Sequence, residues 1–93
     1  MALLDDVKTV LRISDTAYDS EVLDLIYAAR QDMIISGVST EKAYDDYDPL
    51  IKRAITTYAK ANFGWSNPDA ERLIDAYVML KQHLSLCSEY KGG

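Results

Sequence analysis

Along four stretches of this chain the apolar residues recur at steps of three and four, and no run alternates long enough to compete as a strand. Such steps are one turn of α-helix, so each stretch gains one apolar face that must be buried against another. The first face carries Leu3, Leu4, Val7, Val10 and Leu11, and the second Val22, Leu25, Ile26, Ala29 and Met33. The third carries Ile51, Ala54, Ile55, Tyr58 and Ala59, and the fourth Ala70, Leu73, Tyr77, Leu80, Leu84 and Cys87. The expected fold class is all-α: a small bundle of about four helices, at roughly 3–12, 19–36, 49–63 and 68–89.

Local signals place the ends. Ser14-Asp15-Thr16 breaks the first helix, because these residues prefer caps and turns. Gly37 stops the second in the C-cap position. Asp48-Pro49 opens the third, with Asp as cap and Pro in the first helical position, and Asn67-Pro68 repeats that signal for the fourth. The stretch 38–47 reads as a loop with room for one turn started by Ser39 or Thr40, and residues 91–93 as a frayed tail. No internal repeat or low-complexity linker interrupts a single helical domain spanning 1–93. A chain of 93 residues buries only about two-thirds of its unfolded surface, so its core is thin. That core is expected at Leu4, Val7, Leu11, Val22, Ile26, Ala29 and Met33 in the first half. In the second half it is expected at Ile51, Ile55, Tyr58, Leu73, Tyr77, Leu80 and Leu84.

Two helices carry more apolar residues than a thin core needs. Leu23, Tyr27 and Ile34 point away from the Val22–Met33 face, and Met79, Leu86 and Tyr90 away from the Leu73–Cys87 face. Either the core contact is wider than one stripe, or these residues form an interface between subunits. Charge adds direction. The formal net charge is -5, but residues 1–48 hold eleven acids and four bases, and residues 49–93 four acids and six bases. An acidic front and a mildly basic back are complementary surfaces for neighbouring copies. Asp24 and Asp32 are the acids expected at such a contact, and Lys52, Arg53 and Lys60 the bases. The net acidity weighs against a chain that wraps nucleic acid, since phosphate binding wants a basic face.

Enzyme chemistry finds no foothold. His83 and Cys87 sit four apart on one helix, but no other His or Cys exists to complete a zinc site, and a catalytic dyad wants a third orienting group. Asp45-Asp46-Tyr47-Asp48 lacks the alternating ligands, glycine and closing Glu of a calcium loop, and reads as a solvated loop ending in a helix cap. No cofactor, metal or catalytic residue is expected. One cysteine makes no intrachain disulfide, the first residues meet acids at once rather than a basic n-region, and no apolar run approaches the roughly 20 residues of a membrane span. These features place the protein in cytoplasm, or in an assembly built there.

Read in order, several strings form a pattern: Leu4-Asp5-Asp6-Val7-Lys8, then Tyr18-Asp19-Ser20-Glu21-Val22 leading into Leu25-Ile26-Tyr27-Ala28-Ala29-Arg30. Asp48-Pro49-Leu50-Ile51-Lys52-Arg53-Ala54-Ile55 and Lys81-Gln82-His83-Leu84-Ser85-Leu86 complete it. The whole chain, over roughly residues 2–90, resembles the small head–tail connector (adaptor) proteins of long-tailed bacteriophages and prophages of Gram-positive hosts. The resemblance implies a structural virion adaptor that assembles as a homo-oligomeric ring on the portal protein. It would meet a head-completion (stopper) or tail protein on the other side, and DNA would pass through without sequence-specific binding. The location implied is the head–tail junction of the virion, after assembly in the host cytoplasm. The alternative from the residues alone is a small helical regulator that binds a partner as monomer or dimer.

Overall fold

The computed structural model describes residues 2–64 and 67–92. It contains five α-helices: α1 (Ala2–Leu11), α2 (Asp19–Ile35), α3 (Thr40–Ala43), α4 (Pro49–Asn62) and α5 (Ala70–Leu86), with a 3-10 turn at Thr16–Tyr18 before α2. No named strand occurs among the described residues, so the all-α bundle is as expected, with α3 the turn anticipated near Ser39. Ser39 caps α3 by accepting a hydrogen bond from the Lys42 amide.

Helices α2, α4 and α5 enclose the core, and α1 lies against α2 and α4. Val7, Val22, Ile26, Ala29, Met33, Ile51, Ile55, Leu73, Tyr77 and Leu84 are buried as expected, while Leu4, Leu11, Tyr58 and Leu80 pack against them partly exposed. Leu3, Ala54 and Ala59, on the apolar faces but outside the expected core, are buried too, and periodicity missed Val38, Ala43 and Ala61 altogether. Val10, placed on the first apolar face, is instead exposed. It stands on the wall of a groove beside the start of α4, with no helix laid over it. The molecule is thin, 38 × 28 × 18 Å.

Two helix ends share one device. At the end of α1 the Arg12 amide bonds to the Thr9 carbonyl and the Ile13 amide to Lys8, with Arg12 at φ 62°. At the end of α2 the Gly37 amide bonds to Ile34 and the Val38 amide to Met33, with Gly37 at φ 114°. Both are paired closures in which a left-handed residue turns the chain back and the next apolar residue covers the last turn. Glycine adopts that conformation freely; an arginine does so at a steric cost of about 1–2 kcal/mol.

The Asp48-Pro49 start is as read: Asp48 Oδ1 accepts from the amides of Leu50 (2.9 Å) and Ile51 (3.2 Å), and Pro49 opens α4. The second start signal misplaces its helix by two residues. Asn67 caps a turn instead, accepting from the Asp69 amide (3.0 Å) while its side-chain amide donates to the Lys60 carbonyl near the end of α4 (2.7 Å). That pins Pro68 in the turn, and α5 begins at Ala70. α5 also ends early, at Leu86, where Cys87 turns extended. The tail expected to fray is tied down at its first two residues. Lys91 forms an antiparallel bridge with Val38, the Ser39 amide donates to the Tyr90 carbonyl (2.8 Å), and the Gly92 amide donates to the Gly37 carbonyl (2.7 Å). Residue 93 lies outside the described residues.

Candidate partner-binding surface

Three internal polar clusters fix what is left to face outward. Arg30 continues the Val22–Ile26 row of α2 into the interior and is almost wholly buried. Its guanidinium donates to the Ala43 carbonyl (2.8 Å) and to Asp46 (2.7 Å), and lies 4.8 Å from the centre of the Tyr44 ring. A buried charge needs such partners, because its desolvation is otherwise unreturned. Thus α3 and its following loop are anchored to α2 by a residue the apolar pattern hid.

The second cluster joins α2 to α5. The Tyr77 hydroxyl donates to Asp32 (2.6 Å), and Lys81 pairs with the same carboxylate oxygen (2.8 Å). Burial alone would raise the Asp32 pKa, but the hydrogen bonds from Lys81 and Tyr77 and the Lys81 charge together hold it below the ordinary 3.8. Burial, with the hydrogen bond to Asp32, pushes the Tyr77 hydroxyl far up.

The third lies at the start of α4. The Tyr90 hydroxyl donates to Asp48 Oδ1 (3.2 Å), the oxygen that caps α4, and Lys42 sits 3.6 Å from the other oxygen and 5.0 Å from the Tyr90 ring centre. The bond to Asp48 raises the Tyr90 pKa from 10.0 to about 12. Burial works to raise the Asp48 pKa, and is outweighed by Tyr90, the Ile51 and Leu50 amides and Lys42, so it stands below 3.8.

These clusters sort the residues expected at an interface. Tyr90 is buried at 7% exposure and belongs to the interior, so it leaves the second apolar face of the last helix. Asp32 is occupied by Tyr77 and Lys81 within the chain, and Lys52 by Asp6 (2.9 Å). Ile34 is partly buried against the core. Leu23, Tyr27 (59% exposed), Met79 (71%) and Leu86 (81%) do stand outward, as do Asp24, Arg53 and Lys60. The structure thus brings Leu23 and Tyr27 together on α2 and Met79 and Leu86 together on α5, without Ile34 or Tyr90. Sequence reasoning passed over Ile35, Tyr44, Tyr47 and Leu50, which are also exposed. Ile35 lies on no stripe, and the others flank a loop where periodicity gives no signal.

The acidic loop is not a set of free carboxylates: Asp46 pairs with Arg30, Asp48 caps α4, and Asp45 accepts from the Tyr47 amide (3.1 Å). Among the described residues no three His, Cys, Asp or Glu side chains group as a metal ion would require, and no helix is long and apolar enough to cross a membrane. Cys87 packs partly buried against the core and His83 is exposed.

A thin helical module whose outward faces carry large apolar side chains presents what partner proteins cover. The sequence assigns the kind of module. Over residues 3–91 it matches the profile of the phage connector protein family, and the chain belongs to that family. Its role there is structural, through contact with other proteins of the phage head and tail. No curated protein and no solved structure matches the chain.

Proposed function

We propose that the chain is a virion adaptor that assembles as a ring on the portal and joins the capsid vertex to the tail, leaving a conduit for DNA. The observation that carries this reading is the family match over residues 3–91, nearly the whole chain. Large apolar side chains on the outer faces of α2 and α5 support it, since a subunit between two neighbours, a portal and a tail protein needs several surfaces to bury. The net charge of -5 suits a wall along which DNA moves without sticking. On this reading the protein is not an enzyme; it is built in the host cytoplasm and ends at the head–tail junction.

The test is deletion of the gene from the phage or prophage that encodes it. Expected are DNA-filled heads and separate, complete tails, with joined particles restored by supplying the protein in trans. Normal joined particles in its absence would overturn the reading. A change in host or phage transcription, with particles intact, would favour a regulator instead.

A further inference from the structure

The chain carries both halves of a contact with itself. Between α1 and the start of α4 runs a groove of about 510 Å³, walled by Val10, Tyr47, Pro49 and Leu50. Arg53 stands at its edge, exposed and, among the described residues, without a carboxylate partner. Tyr47 is 92% exposed, so an aromatic ring projects there with little to cover it. On α2, Leu23 and Tyr27 form an apolar ridge one turn long, and Asp24 stands exposed beside it, without a basic partner among the described residues. Groove and ridge share no residue.

We propose that the Leu23–Tyr27 ridge of one copy seats in the groove of the next, with Asp24 facing Arg53 at the rim. The occupant is a second copy because the complementary surface is already in the chain: the ridge lies in the acidic front half and the groove, where Asp6 is already paired with Lys52, carries in Arg53 an unpaired base of the back half. Aromatic and aliphatic side chains centred in a pocket carry most of an interface's affinity, while rim charges set partner choice and orientation. Because two different surfaces meet, each copy can offer its ridge to one neighbour and its groove to another. Such a contact closes into a ring when the rotation allows. This rests on the ring reading above and names its subunit contact; the outer face of α5, with Met79 and Leu86, stays free for a different partner.

Sedimentation of the purified full chain tests it, with two double variants made only at exposed positions. Tyr27→Ser/Asp24→Lys removes the ridge, and Tyr47→Ser/Arg53→Glu removes the groove. Wild type should self-associate by about 1 mM, the weakest affinity that such a contact should have. Each double variant should raise the dissociation constant at least about fivefold. Mixed one to one, the two variants should form a heterodimer and nothing larger, because only one intact ridge and one intact groove remain. Wild type that stays monomeric, variants shifted by less than about fivefold, or a mixture that fails to pair each overturns the contact. If either double variant loses its helical circular dichroism, the single variants Tyr27→Ser and Tyr47→Ser are read against the same threshold. Failure here leaves the deletion phenotype untouched, so the contact and the connector role fail separately.

Discussion

The centre of the molecule and its corner are held by different physics. At the centre α2, α4 and α5 meet through Met33, Ile55 and Leu84, all fully buried, and apolar contact makes most of the fit, with the Tyr77–Asp32–Lys81 cluster at its margin. At the corner the end of α2, the cap of α4 and the last residues of the chain are joined by the Tyr90–Asp48 bond and the backbone bonds of Ser39 and Gly92. Apolar contact stabilises in proportion to area and tolerates small shifts, whereas each hydrogen bond adds little but costs more when one partner is lost. The centre therefore supplies stability, and the corner specifies where the chain's end must lie.

That contrast predicts a graded set of losses, measurable by denaturant unfolding. Ile55→Ala should be the most damaging, at about 2–5 kcal/mol, because it opens a cavity between packed helices; a loss below about half a kcal/mol would place the centre of stability elsewhere. Asp48→Ala should cost about 1–3 kcal/mol, since it removes the cap of α4 and leaves the Tyr90 hydroxyl unpaired. Tyr90→Phe should cost about 0.5–1.5 kcal/mol, keeping the ring and losing one bond.

Acidity probes the same corner. The Asp48 and Asp32 pKa values are lowered by folding, so their contribution is present above 3.8 and lost as pH falls through their folded values. Asp48→Asn should flatten that acid limb. The Tyr90 pKa is raised, so its contribution is present below 10.0 and lost as pH climbs toward about 12. Tyr90→Phe should weaken that alkaline limb without touching the acid one at Asp32. Smallest of all, Leu86→Ser should change the stability of the isolated chain by no more than about 0.5 kcal/mol, because its side chain faces solvent. A large loss there would mean that α5 is covered from both sides.

The same division explains what the sequence disclosed. Periodicity and caps gave the helices of the centre, because those signals are local: Asp48-Pro49 and Gly37 act within a turn of where they stand. The corner was hidden, since nothing near Tyr90 in sequence points to Asp48 forty-two residues away. Arg30 was legible in principle, as a charge continuing the Val22–Ile26 row, but its acceptors Ala43 and Asp46 come from the fold. For the candidate surface, Leu23, Tyr27, Met79 and Leu86 followed from helical angle alone. Tyr90 did not, because α5 ends at Leu86 and the angle no longer applies beyond it.

The 18 Å thickness bears on how the protein should melt. An α-helix with its side chains is about 10–12 Å across, so the molecule is no more than about two helices deep along that axis. A domain this shallow holds a small reserve of folding free energy, and covering its faces with neighbours adds to that reserve by mass action. Heat should thus unfold dilute chains first: the melting temperature should climb with protein concentration, and climb furthest where the chain is part of a completed particle.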